Sequence, residues 1–272
     1  MKIYSLMLLL LAISCGGDRV KKVELLEEFR ILAVVTPTPE VSSGDPATLQ
    51  LFISDVKGGG RVIIGTTVAC IDPGIAFGAK VSCDHDPSAQ VGTYKIDTTT
   101  GDMTSNLYTG LAAATLNVTV PPTIFLGRDS RDQFNGVGFI VIFNFTVDGR
   151  TVSTFKRITA TNRGAFNSNP NGSTILLNRS PIGSAPEDGD DLEATSSAPE
   201  MFDYQTIEGV TETREEKLAV AWYVTQGELT KPKSNVGEST SYKGKKPTAS
   251  SAVIAIIRDE RGGVEIVRKY FP

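Results

Sequence analysis

The sequence predicts an all-β protein, two antiparallel β-sandwiches in tandem behind an export signal. Three observations predict it. Apolar residues recur with period two in many short runs, such as Leu49, Leu51 and Ile53, or Leu218, Val220, Trp222 and Val224; this is the spacing of half-buried strands. Twenty-six glycines and 14 prolines punctuate the 272 residues, and no stretch sustains a long helical period. Each half closes on two good strands around a tight turn, Asp148-Gly149 in the first and residues 259–263 in the second. A two-residue Asp-Gly loop between alternating runs is a strong hairpin signal, because both central positions need positive φ.

The chain opens with Lys2, an apolar run over residues 3–13, and then Ala12-Ile13-Ser14-Cys15. A basic start, a short apolar core and small residues at the cut describe an export signal. The run is too short to span a bilayer, which takes about 20 residues. A cysteine at the cut resembles the lipobox of bacterial lipoproteins, although leucine is commoner where Ala12 stands. The resemblance implies that residues 1–14 are removed and that Cys15 becomes a lipidated N-terminus carrying fatty acyl chains such as palmitate. Each buried methylene contributes about 0.8 kcal/mol, so more than one chain gives stable anchoring. Gly16 follows the cysteine, which resembles the outer-membrane default of Gram-negative lipoproteins. The alternative is an ordinary secretory signal with an incidental cysteine. About 258 residues remain after the cut, room for two domains.

Residues 15–28 carry Arg19, Lys21, Lys22, Glu24, Glu27 and Glu28 and read as a solvated tether, with a short helix as the alternative. The first body covers residues 29–165. An entry strand at residues 30–35 leads to Pro37, Pro39 and Pro46, which suit a kinked edge strand because proline donates nothing to a ladder. Alternation resumes at Leu49 and again at Val62, Ile64, Thr66, Val68 and Cys70; residues 92–96 form a short strand. Leu116, Val118 and Val120 end at Pro121-Pro122. Residues 127–135 read as a polar loop. Phe139, Val141, Phe143, Phe145 and Val147 then line one face of a central strand, followed across Asp148-Gly149 by residues 151–155.

Asn- and Gly-rich residues 162–172 have no apolar period and place the domain boundary near residue 166. The second body, 166–272, repeats the grammar of the first. Residues 175–177 are an entry strand, Pro181 and Pro186 echo the earlier prolines, and Asp188-Gly189-Asp190-Asp191 makes a turn. After the Trp222 strand comes a long polar loop, residues 231–246, and then Val253, Ala255 and Ile257. Trp222 resembles the tryptophan that fills an immunoglobulin-like sandwich. Ile257-Arg258-Asp259-Glu260-Arg261-Gly262 is similar to the last-hairpin signature of PKD-like domains. The resemblance to immunoglobulin-like and PKD-like sandwiches of bacterial surface proteins implies the fold; such sandwiches host many functions.

Cys70 and Cys83 are an even pair for an oxidising compartment, and a structural disulfide is favoured over a redox pair or metal ligands. Net charge is −4 with no basic half, so a nucleic-acid partner has no electrostatic support. His85 is the single histidine, and neither Gly-x-Ser-x-Gly nor His-Glu-x-x-His occurs. Ser54 and Lys57 match Ser-x-x-Lys without a partner motif. No catalytic residue and no cofactor are expected. Asp84 and Asp86, and Asp188, Asp190 and Asp191 beside Glu187 and Glu193, offer oxygens to calcium, but neither set has the twelve-residue pattern; solvated acidic loops are the blander reading. Loops at sandwich ends carry binding, so Arg128, Arg131, Lys231, Lys233, Tyr242 and Lys245 are the candidate contact residues, flexible solvated loops being the alternative.

The expected function is that of a membrane-anchored envelope lipoprotein acting through protein or glycan contacts, or as a scaffold without ligand. The alternative is an accessory subunit or weak hydrolase with a site at the domain junction. A cleft with converging carboxylates would favour the second, a flat loop-decorated surface the first.

Overall fold

The computed structural model describes residues 22–74, 81–99, 109–247 and 250–272. The export signal and Cys15 lie outside the described residues. The first half runs β1 (Arg30–Val35), β2 (Glu40–Val41), β3 (Pro46–Ser54), β4 (Val62–Ile71), β5 (Gln90–Asp97), β6 (Leu111–Thr119), α1 (Ser130–Asn135), β7 (Val137–Val147) and β8 (Arg150–Ala160). A three-stranded sheet, β1-β3-β6, faces a five-stranded one, β2-β8-β7-β4-β5. All pairings are antiparallel except β2 with β8. Leu49, Leu51 and Ile53 of β3 meet Phe139, Val141, Phe143 and Phe145 of β7 between the sheets. Asp148 and Gly149 both have positive φ, 51° and 71°, as the β7–β8 hairpin requires.

Two local readings of this half need correction. In β4 the alternation is real but its inward face is the other one. Ile63 and Ala69 are buried in the core, whereas Val62 and Ile64 are exposed. Gly65 shares the inward face, and the Tyr94 ring occupies the space a side chain would take, 2.5 Å from where a Cβ would stand. Tyr94 then meets Phe143 and Phe145 edge-on, with ring centroids 5.8 and 5.3 Å apart. Residues 127–135 are not a loop throughout, since Ser130–Asn135 is helical. Asp129 caps it, its carboxylate accepting from the Asp132 N–H at 2.7 Å, which satisfies one of the orphan amides of a helix start.

The second half runs β9 (Thr174–Leu177), β10 (Ser180–Pro181), β11 (Asp191–Thr195), β12 (Met201–Gln205), β13 (Thr211–Glu215), β14 (Ala219–Val224), β15 (Glu228–Leu229), β16 (Lys233–Asn235), β17 (Ser239–Lys243), β18 (Ser251–Arg258) and β19 (Val264–Phe271). Sheet β10-β9-β11-β17-β15 packs on sheet β16-β14-β18-β19, and β12-β13 is a separate hairpin. Trp222 is fully buried between the two larger sheets with Val220, Val224, Val253, Ala255 and Ile257; its indole N–H donates to Ser234 Oγ at 3.0 Å. The architecture is all-β, two sandwiches whose sheets are antiparallel apart from the β2–β8 pair. The stretch 231–246 is not one long loop: β16 and β17 occupy half of it.

A third apolar layer joins the two bodies. Ala221, Ala252, Ile254 and Ile256 on the outer face of β14-β18 pack with Leu32, Ala33, Phe52 and Leu111 from the outer face of β1-β3-β6. Four sheets therefore stack in order, with apolar side chains in each of three gaps. Strand β18 is the consequence in one element. It is apolar from Ala252 to Ile257 and all of those residues are buried, the pattern of a strand covered on both faces.

The stretch before β1 is likewise no free spacer in its described part. Leu26 is buried in the layer between the bodies. Leu25 bridges Val224 in parallel register; the Leu26 N–H donates to the Val224 carbonyl and the Val224 N–H to the Glu24 carbonyl, both at 2.9 Å. Two apolar residues inside a charged run are enough to dock it.

Cys70 and Cys83 form a disulfide, Cα to Cα 5.7 Å. It fastens the segment after β4 to the outer face of the five-stranded sheet, against Ile140. Closing a loop of this length stabilises by roughly 3 kcal/mol in the chain-entropy account.

Candidate functional site

The sequence-derived candidates are scattered, and most are already engaged. The Asp86 carboxylate accepts from the hydroxyl and N–H of Ser88, at 2.6 and 2.9 Å, and these bonds hold its carboxyl below the ordinary range. Asp188 accepts from the Gly244 N–H at 3.0 Å. Asp190 accepts from Asn178 Nδ2 at 2.7 Å and from the Glu187 N–H at 2.9 Å, and Asp191 accepts from the Ser241 hydroxyl at 2.8 Å. Asp84 is exposed. Among the described residues, no group of three or more His, Cys, Asp or Glu side chains converges to hold a metal. A His85 ring nitrogen lies 3.2 Å from the Ile71 carbonyl. Ser54 is buried at the end of β3, while exposed Lys57 pairs with Glu27 at 2.6 Å.

The contact residues do not form one surface. Arg131 is on α1 and pairs with Asp132 at 3.0 Å; Arg128 precedes the helix and is exposed, as are Lys231, Lys233 and Lys245. Tyr242 corrects the loop reading outright. It lies on β17, is 1 % exposed, and its ring fills the space over Gly227. A tyrosine in a polar stretch is here a core residue with its hydroxyl led out to the Gln226 carbonyl at 3.3 Å.

What the structure does bring together is the domain junction. Residues 36–41, the connection 161–173 and the β18–β19 turn meet there. Glu40 is 1 % exposed. Its carboxylate accepts from Arg163 Nη2 and, at 2.8 Å, from the Asn167 N–H; Arg261 Nη1 is 3.7 Å away. Arg261 donates Nε to Glu216 at 2.6 Å and Nη2 to Glu200 at 2.9 Å, and its guanidinium lies over Phe202, 4.6 Å from the ring centroid. Burial raises the Glu216 carboxyl above its ordinary value, against the pull of Arg261. Asn167 Nδ2 donates to Asp259 at 3.1 Å, and Asn169 links the Thr36 carbonyl to the Val264 N–H at 2.8 Å each. The Asn- and Gly-rich connection is thus stitched into both bodies.

Beside this network lies an open cleft of about 450 Å³, walled by β1, by residues 154–159 of β8, by Tyr223 and by residues 258–264. Lys156 reaches it from β8, where its position shares the inward parity of Ile158 and Ala160. Its ammonium donates to the Gly262 carbonyl. Arg258, at the end of β18, donates Nη2 to the Leu32 carbonyl at 3.0 Å. Asp259 is spent on the turn itself, accepting from the N–H groups of Arg261 and Gly263 at 2.8 and 2.7 Å. Arg157 pairs with Asp72, and Glu260 is exposed at the rim. Sequence reading missed Lys156 and Arg258; the available signal was a lysine at an inward-facing position of an alternating strand.

Burial pushes the Lys156 amine down to about 8, with the charge of Asp259 opposing and that of Arg258 reinforcing the shift. The sign follows from proton binding. Between about pH 8 and 10.5 the unfolded chain holds a proton on this amine that the folded chain has lost, so this residue's contribution to stability rises with pH across that window. Urea titrations from pH 8 to 10 are expected to show that rise in the native chain relative to Lys156→Met; equal pH slopes would refute it.

No protein-family model matches the chain, and no curated protein matches it. Among solved structures, red sea bream transglutaminase overlaps 89 % of this chain at 10 % identity and TM-score 0.30. A Salmonella alpha-2-macroglobulin overlaps 90 % at 12 % identity and TM-score 0.30. The chain spans 31 % and 16 % of those two proteins. The sporulation control protein of Bacillus subtilis overlaps 90 % of both chains at 11 % identity and TM-score 0.27. None of these superpositions reaches the level of a shared fold.

Proposed function

We propose that this chain is a lipid-anchored lipoprotein of a bacterial envelope, at the outer membrane rather than the inner. Its two sandwiches, of immunoglobulin-like and PKD-like type, act as one rigid binding or structural module toward envelope protein or glycan. The observation that carries the reading is the docked segment after Cys15. Nine residues lie between Cys15 and Leu25, a reach of at most about 35 Å. Leu25 and Leu26 are fixed to the stacked sheets. A lipid at Cys15 would therefore hold a stiff body close to the bilayer, with its far loops presented outward. The junction cleft gathers cations, and its one enclosed carboxylate, Asp259, is tied to the turn; this favours binding over hydrolysis as the use of the junction.

Expression of Cys15→Ser in a Gram-negative host is the direct test. The variant is expected to leave the membrane fraction or to accumulate as uncleaved precursor, while the native chain carries acyl mass. Unchanged membrane partition and processing in the variant would overturn the anchor.

A further inference from the structure

We propose that the junction cleft is a binding site for a small molecule bearing a phosphate-like dianionic group, held between Lys156 and Arg258. The two cations come from different sandwiches, one from β8 and one from β18. Lys156 is 8 % exposed. Each hydrogen-bonds to neutral oxygen where a cation would ordinarily have a carboxylate: the Gly262 carbonyl for Lys156, and the Leu32 carbonyl and the Tyr223 hydroxyl for Arg258. Neither joins an ion pair among the described residues.

The charges around them leave the pair one positive charge in excess, since among the described carboxylates only Asp259 acts on Lys156. Asp259 faces Lys156, but its oxygens are occupied by two backbone N–H groups and Asn167. Arg157 is matched by Asp72, and Arg261 turns away to Glu216 and Glu200. Glu260 stands at the solvent rim. Two desolvated cations with one carboxylate between them leave a net positive charge that is costly to keep, and burial lowers the proton affinity of both groups. A bound dianion removes that cost and gains charge-assisted hydrogen bonds from both sides. A volume of about 450 Å³ is in the range of small-ligand sites and exceeds what phosphate alone fills. The walls at Ile31, Phe155 and Tyr223 leave room for an organic body attached to the anion. The site does not depend on the lipid anchor.

The test is calorimetric titration of the full chain with inorganic phosphate, with acetate and chloride at matched ionic strength as controls. One saturable phosphate site is expected, with acetate and chloride failing to saturate it. Lys156→Met and Arg258→Met are each expected to weaken phosphate by about tenfold or more, the loss of one charged hydrogen-bond partner. If a variant does not fold, the native chain decides. Phosphate, and not acetate, should protect Lys156 from acetylation as read by mass spectrometry. No saturable phosphate heat together with no protection would overturn the site. Equal phosphate affinity in native chain and folded variants would mean an adventitious ion only.

Discussion

Glu40→Ala is expected to cost about 3–5 kcal/mol of folding stability, the loss typical of removing one partner from a buried ion pair. Glu40 sits on the two-residue strand β2, which pairs with β8 alone. Its carboxylate serves the Arg163 guanidinium and the Asn167 N–H. Arg163 is itself 8 % exposed, so truncation strands a cation and an amide away from water. Arg261 suffers less, because Glu216 and Glu200 remain. The measurement is a urea titration in which the midpoint falls and the slope holds, the mark of a stability change without a change in unfolded surface. Glu200→Ala is the internal contrast. Glu200 is 41 % exposed on its side chain, and exposed pairs contribute about 0–1 kcal/mol. If the two variants lost equal stability, the junction network would not be organised around Glu40.

Ile254→Ala is expected to lose about 2–5 kcal/mol, as buried large-to-small changes do. It is also expected to loosen one sandwich from the other. Ile254 is fully buried in the layer between the bodies, opposite Tyr223 on β14 and away from the Trp222 core. Deleting its side chain leaves each sandwich's own core intact while weakening the surface that joins them. Calorimetry should then resolve two transitions where the native chain shows one, and protease should cut the connection 161–173, now less well held. A single transition with that connection still protected would show that the polar stitching alone couples the bodies.

Much of the fold could be read from alternation. Strands β7, β14 and β18 announce themselves because one face of each is apolar at every second residue. The junction layer was also present in the sequence, and only half of it was read. Val253, Ala255 and Ile257 mark one face of β18, yet Ala252, Ile254 and Ile256 between them are equally apolar. A run without polar alternates means cover on both sides. Phe52 between Leu51 and Ile53 carries the same message for β3. Helix α1 had a local signal as well, Asp129 three residues before Asp132, in the manner of a capping pair. The ion network was out of reach for a different reason. Glu40, Arg163 and Arg261 lie 123 and 98 residues apart in succession, and nothing local marks a charge that will be paired so far along the chain. Lys156 and Arg258 share that difficulty, since what sets them apart is the carboxylates they do not meet.

The docked N-terminal segment also sets how the molecule responds to pull. Tension applied ahead of Lys22 meets the exposed Lys22–Glu228 ion pair and then the two main-chain bonds linking Glu24 and Leu26 to Val224. Those bonds are few, whereas the ladders of β7–β8 and β18–β19 run eleven and eight registered pairs long. The segment would peel before either sandwich is strained, baring Leu26 while the sheets stay folded. The protein thus has a weak point placed where traction enters, and the rest of the stack is spared by it.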